Sequence, residues 1–324
     1  MSATTIETPA IETRALGKRY GSVAALEALD LCVPAGACFG LLGPNGAGKT
    51  TTVGLLTTLL RPSGGQAWVF GHDVESERRA VRSTLGLVFQ ESTLDPDLTA
   101  REHLDLTARL YHLDDRGRRV AELMSLLGLE DVADRPARQL SGGTKRRLEI
   151  GRGLLHRPRI LFLDEPTLGL DVASRAHVWE HLRALHASDG ATLFLTTNSM
   201  DEADSFCEEL AILDRGRVVA RGSPEALKAE VGGDVVRLVL ERAEPATERL
   251  ARVDGVSGVL SEGPGRLRIT LADGPRRLVE LIEAARPFGM VEVTMQRPSL
   301  ESVFLRHTGH AFGGDDPDAP GGAS

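Results

Sequence analysis

Eight residues, GPNGAGKT from Gly43 to Thr50, constrain this chain more than any other stretch of it. They fit the pattern G-x-x-x-x-G-K-[ST], and they follow the apolar run ACFGLLG at 37–43. A loop of this kind works between a strand and a helix. Gly43, Gly46 and Gly48 let the backbone wrap until successive N–H groups converge on phosphate oxygens. The helix expected to open at Lys49 adds the positive end of its dipole. Lys49 supplies a point charge for β- and γ-phosphates, and Thr50 a hydroxyl for Mg2+. Pro44, Asn45 and Ala47 fill the open positions and Thr51 extends the pattern, so Gly43 to Thr51 is the expected nucleotide-binding loop.

Such a loop calls for a parallel sheet, and the rest of the first 225 residues agrees. STLGLVFQ (83–90), RILFLDE (159–165) and ATLFLTT (191–197) are short, continuous apolar runs separated by helical patterns. They read as an α/β fold whose mostly parallel sheet is covered on both faces. RILFLDE delivers Asp164 and Glu165 at the end of a buried strand, a costly placement without a cation or partner. Asp164 suits Mg2+ through water, and Glu165 can act as general base on an attacking water. ATLFLTT runs into NSMDEAD, with Asn198 as the first residue past the strand. In LSGGTKRRLEIGRGLL (140–155), Ser141 is a good N-cap followed by Gly142 and Gly143. Lys145, Arg146 and Arg147 then fall in the first turns, where the dipole disfavours cations, so either an anion docks there or the stretch is a solvated basic face.

In order, GPNGAGKTT, Gln90 ending an apolar strand, LSGG, LFLDEPTLGLD and LTTNSMDEAD resemble the ATP-binding cassette (ABC) transporter ATPases over about residues 11–230. The whole is similar to their drug- and antibiotic-efflux type. LSGG is the most specific element, because other P-loop families lack it. The resemblance implies a P-loop NTPase domain of ABC type, a mixed sheet with helices and an α-helical subdomain at about 91–157. It implies a homodimer that sandwiches two ATP with Mg2+, the Gly43–Thr50 loop of one copy facing Ser141, Gly142 and Gly143 of the other. It implies ATP hydrolysis coupled to a separate transmembrane permease. Tyr20 matches the aromatic that stacks on adenine, and Asp171 the residue that couples the two sites. Gln90 matches the residue that reaches Mg2+ and water, its loop contacting the membrane subunit. Asn198 stands where most of the family has histidine. Its amide can donate to phosphate but cannot exchange a proton, which makes it a phosphate sensor beside Glu165. One alternative is a nucleotide-dependent binding switch with weak turnover. Another is a non-transport ABC ATPase of translation or repair, but no second cassette and no long insertion between Gln90 and Leu140 supports it.

From about residue 231 the texture changes. DVVRLVLE, PATERLARVDG, VSGVLSEG, RLRITLAD, PRRLVELIEAARPFG and MVEVTMQ read as β-α-β-β-α-β, a small ferredoxin-like α+β domain over 231–309, before a last helix in SLESVFLRHTG. The linker is expected around RGSPEALKAEVGG (221–233). Residues 1–10 and 310–324 read as disordered tails. A net charge of −8 argues against nucleic acid as a partner. Cys32, Cys38 and Cys207 lack CxxC spacing and read as buried free thiols of a reducing compartment. No apolar run approaches about 18 residues, and the N-terminus lacks a signal pattern, so the expected place is the cytoplasm, on the inner face of the membrane through the permease. His177 and His181, near His186, lack the glutamate of H-E-x-x-H and read as a solvated or packed helix face.

Overall fold

The computed structural model describes residues 8–312, so 1–7 and 313–324, most of the two expected tails, lie outside the described residues. The described ends depart from the tail reading. Ala10 is buried, its N–H bonds Val33 O at 2.8 Å, and its carbonyl accepts from Phe70 N–H at 3.0 Å. His310 and Phe312 set their rings edge-on against Phe304, centroids 5.3 and 4.9 Å away. The chain divides into two units that part between Arg221 and Gly222.

The first unit begins with β1 (Ile11–Tyr20), β2 (Val23–Val33), β3 (Cys38–Leu42), α1 (Lys49–Leu56), β4 (Gly64–Val69), β5 (His72–Asp73), α2 (Arg78–Thr84) and β6 (Leu85–Val88). A helical stretch follows within the expected 91–157 segment: α3 (Ala100–Leu110), α4 (Arg116–Leu126) and α5 (Gly142–Leu154). The unit closes with β7 (Ile160–Asp164), α6 (Val172–Asp189), β8 (Thr192–Thr197), α7 (Met200–Phe206), β9 (Glu209–Asp214) and β10 (Arg217–Gly222). The main sheet has the order β10-β9-β3-β8-β7-β6, and β9, β3, β8, β7 and β6 run parallel. Every residue of β3, β7 and β8 is buried, as a sheet covered on both faces requires. Phe39, Phe194 and Phe162 stand in register across these strands, ring centroids 5.7 and 5.3 Å apart.

The sequence foresaw this sheet but not a second one, antiparallel, in the order β2-β1-β4-β5. Its first strand, IETRALGKRY, is half polar and carries no continuous apolar run, because one of its faces meets solvent. What matters for the site is the direction of the main sheet. Parallel strands bring all their C-terminal ends to one edge, where a ligand can bind in the loops beyond them.

The second unit holds α8 (Pro224–Val231), β11 (Asp234–Leu240), α9 (Ala243–Leu250), β12 (Val256–Gly263), β13 (Arg266–Leu271), α10 (Gly274–Ala285), β14 (Met290–Gln296) and α11 (Leu300–Thr308). From β11 to β14 the order is the β-α-β-β-α-β read from the sequence, folded into an antiparallel sheet β12-β13-β11-β14. Val236, Leu238, Ile269 and Leu281 anchor its core. The expected linker at 221–233 is instead mostly helix α8. Ser223 caps it by accepting from Ala226 N–H at 3.1 Å, Pro224 opens it, and it packs on α11.

Candidate active site

Loop 43–48 leaves β3, Gln90 follows β6, Glu165 follows β7, and Asn198 follows β8, all at the same sheet edge. They meet in a cleft of 360 Å³ lined by Asn45, Gly46, Lys49, Thr50, Gln90 and Glu165, with Ala25, Gly48, Thr51, Leu168 and Asn198 completing it. The glycines earn their places here. Gly48 has φ 107°, and a Cβ on it would stand 2.6 Å from Ala25 O; a Cβ on Gly43 would stand 2.4 Å from Leu213 O. Any side chain at either position would push the loop off its strand.

Lys49 is buried, and its ammonium donates to Gly43 O at 2.8 Å and Pro44 O at 3.1 Å. It also pairs with Glu165 Oε1 at 3.3 Å. A buried ammonium needs such partners, and a phosphate entering the cleft would compete for it with Glu165. The Thr50 residue is exposed towards the cleft. Asp164 is buried and does not line the cleft; its carboxylate accepts the Thr196 hydroxyl at 2.5 Å, from the position opposite it in β8. Thr50 and Gln90 line the cleft, and Asp164 stands behind it at the end of β7.

Glu165 has φ 44°, a left-handed conformation costly for a residue with a side chain. Two sets of bonds hold it. Its N–H donates to Thr196, backbone and hydroxyl, at 3.2 and 3.0 Å. The guanidinium of Arg146 donates to the carbonyls of Asp164 and Glu165 at 3.0 Å each and of Pro166 at 2.6 Å. The same group reaches Phe89 O at 2.5 Å, one residue before Gln90, and Glu149 at 3.2 Å. Burial pushes the guanidinium below its ordinary range, and Glu149 opposes that shift. This corrects the sequence reading of the early cations in α5. Arg146 points inward onto backbone carbonyls, and Arg147 donates to Leu127 O and Gly128 O at 2.6 and 3.0 Å. Neither waits for an anion.

Asn198 Nδ2 reaches Asn45 Oδ1 at 3.5 Å, which ties the end of β8 loosely to the phosphate loop. Sequence reasoning missed Glu202, four residues on. Its buried carboxylate accepts from the Thr197 hydroxyl at 2.9 Å and from the Thr167 hydroxyl, and Arg175 stands 3.6 Å away. It thus joins the strand end before Asn198 to the loop after Glu165. Ser199 to Glu202 fits the S-x-x-E signature of a capping box, which reads as local helix chemistry. The structure uses the glutamate across the site instead.

Other expected residues stand apart. Ser141 caps α5 and Asp171 caps α6, each accepting from the third residue of its helix, Thr144 N–H at 3.3 Å and Ser174 N–H at 3.0 Å. A Cβ on Gly143 would stand 2.6 Å from Ser174 Oγ, so the two helix starts are neighbours. Ser141, Gly142 and Asp171 are exposed and do not line the cleft, nor does Tyr20, which is half exposed with Lys18 Nζ 5.2 Å from its ring. Cys38 and Cys207 are buried as expected, and hydrogen bonding to Cys38, with burial, pushes the Cys207 thiol up. Cys32 is exposed, against expectation, because its side chain falls on the open face of β2. His181 and His186 contact the carbonyls of His177 and Ala191 at 2.6 and 3.1 Å. Among the described residues no helix is long and apolar enough to cross a membrane.

Known proteins resemble this chain in sequence and fold. The pattern of the ABC transporter family matches residues 26–168. The daunorubicin resistance ATP-binding protein DrrA2 of Streptomyces coeruleorubidus is 42% identical over 308 residues, 93% of this chain and 95% of the relative. The Nod factor export ATP-binding protein I of Ralstonia nicotianae is 38% identical over 308 residues, 93% of this chain and 94% of the relative. The structure of cbiO1 from Clostridium perfringens, part of the ABC transporter complex cbiONQ, superposes with a TM-score of 0.64 at 27% identity, over 69% of this chain and 92% of that one. The dimeric structure of MJ0796, a bacterial ABC transporter cassette, superposes with a TM-score of 0.61 at 28% identity, over 66% of this chain and 98% of that one. The phosphate loop, the acidic strand end and this likeness over nearly the whole chain lead to one assignment: the chain belongs to the ABC transporter family, as an ATP-binding subunit that hydrolyses ATP to power a separate transmembrane permease.

Proposed function

We propose that the chain drives export of a drug-like or other hydrophobic compound, working as a homodimer at the inner face of the cell membrane. The relatives named for daunorubicin resistance support the cargo class. The observation that carries the dimer is a site in two halves. Lys49, Glu165 and Asn198 share the cleft, whereas Ser141 and Gly142, at the start of α5, stand exposed outside it. In a closed pair, Ser141, Gly142 and Gly143 of one copy cover the nucleotide held by Gly43–Thr51 of the other, Tyr20 stacks on adenine, and Asp171 couples the two sites. Glu165 orients and deprotonates the attacking water, and Asn198 donates to the γ-phosphate. Thr50, Gln90 and Asp164 would hold Mg2+, which would supply neutralisation of the phosphate charge.

An apolar groove supports the permease contact. Leu59, Phe89, Leu110 and Tyr111 line it, each more than two-fifths exposed, and Phe89 adjoins Gln90. Exposed apolar groups gathered in one groove mark a protein contact.

The test is scattering and turnover of Glu165→Gln with Mg-ATP. Dimers and a turnover at least about a hundredfold below wild type are expected. Solitary chains under those conditions would refute the shared site. Asn198→His should raise turnover only modestly; a gain of about a thousandfold, some 4 kcal/mol, would mean that Asn198 cripples the site. The second reading, a binding switch with weak turnover, rests on Asn198. It gains if wild type hydrolyses no faster than Glu165→Gln.

A further inference from the structure

The second unit carries a concentration of cations that nothing in the ATPase cycle uses. One face of its sheet is closed by the core around Val236, Leu238 and Ile269. On the open face, Arg237 and Arg268 are exposed and directly opposite each other in the β11–β13 register. Like charges placed so repel. Arg297 and Arg306 join them around a hollow of 370 Å³ that Thr270, Gln296 and Ser302 also line, and no lining residue is acidic. Arg237 has a partial counter-charge in Glu262 at 3.3 Å, and Arg306 donates to the carbonyl of Glu230. Among the described residues Arg268 and Arg297 have no carboxylate partner. Elsewhere in the unit Arg277 pairs with Asp254 and Arg276 with Asp273 at 3.4 Å, so carboxylate pairing is available to arginines of this surface. In a chain of net charge −8, four guanidinium groups around one acid-free hollow, two of them opposed across strands, form a local field that favours an anion.

We propose that this hollow binds a small phosphate-bearing ligand. Guanidinium forks match phosphate oxygens two at a time, and the Thr270 and Ser302 hydroxyls with the Gln296 amide can complete the donor set. The volume falls in the lower part of the range of small-molecule sites, about 300–1,000 Å³. The lining holds no aromatic ring on which the bases of a nucleic-acid strand could stack. The site lies within the second unit and rests on none of the roles proposed for the first.

The test titrates pyrophosphate onto the full-length chain at constant ionic strength and reads hydrogen exchange peptide by peptide. Occupancy of the phosphate loop then appears separately, in peptides over 43–56. Saturable protection over 234–240 and 266–271 is expected, with half-saturation at least tenfold weaker in the double variant Arg268→Gln, Arg297→Gln. Both positions are exposed, so the ligand-free variant should exchange no faster there than the parent. Protection confined to 43–56, or equal protection in the variant, would overturn the proposal. Faster ligand-free exchange in the variant would make the arginines structural and overturn it too. A parallel arm uses vesicles of phosphatidylglycerol and phosphatidylcholine; protection by vesicles and none by pyrophosphate would overturn the small-ligand reading.

Discussion

Replacing Arg146 with methionine tests how the strand end that carries Glu165 is held. The guanidinium spans two segments, Phe89 on one side and Asp164, Glu165 and Pro166 on the other, and neutralises Glu149 at 3.2 Å. Methionine fills similar space and donates nothing. Four carbonyls lose a charged donor, and Glu149, nearly buried, loses its cation. An unsatisfied buried polar group costs about 1–3 kcal/mol, and a buried pair broken by removing one member about 3–5 kcal/mol. These costs overlap, since freed carbonyls relax towards water, so the expected loss is about 3–5 kcal/mol. The assay is denaturant unfolding followed by tryptophan fluorescence. The chain's two tryptophans, Trp68 and Trp179, both lie in the first unit, so the signal reports that unit. Arg146→Lys keeps the charge near Glu149, but a single ammonium cannot span both segments, so it should recover only part of the loss. Adding Glu149→Leu to the methionine variant should also recover part, by removing the stranded carboxylate. A methionine variant within about 1 kcal/mol of wild type would refute the clamp, because a solvent-facing arginine costs no more to remove. So would a lysine variant indistinguishable from wild type.

Further outcomes follow from the same geometry. Glu202→Gln should lower kcat about tenfold with nucleotide Kd within about twofold, because one amide cannot accept from both Thr167 and Thr197; matched losses in kcat and Kd would contradict a positioning role. Burial pushes the His103 and His156 imidazoles below their ordinary value of 6.5. The unfolded chain therefore takes up protons first, so stability is complete above pH 6.5 and drains as pH falls through the native values. The denaturant midpoint at pH 5 should lie below that at pH 7.5, and His103→Gln with His156→Gln should narrow the gap.

Much of this was legible in sequence because each feature is written locally. GPNGAGKT sits on consecutive residues between a strand and a helix, and the ferredoxin-like order shows as alternating texture from 231 onward. The antiparallel sheet was not legible, since IETRALGKRY acquires its partners, β2 and β4, only in the fold. Arg146 misled for a similar reason. A cation early in a helix looks exposed to the dipole, and only the tertiary arrangement shows that carbonyls from 89 and 164–166 surround it. Glu202 was not legible because its partners, Thr167 and Thr197, come together only in the fold. The segment 221–233, with its Gly and Pro, read as a joint, yet Ser223 and Pro224 are also how a helix starts.

Lys49 has three oxygen neighbours, two from its own loop and one from Glu165. Substrate entry is then an exchange of ligands on a fixed ammonium, not the ordering of a loose side chain. On the binding mode proposed above, affinity would be a difference between two occupied states, and the Glu165 carboxylate would be freed for water only as a triphosphate takes its place.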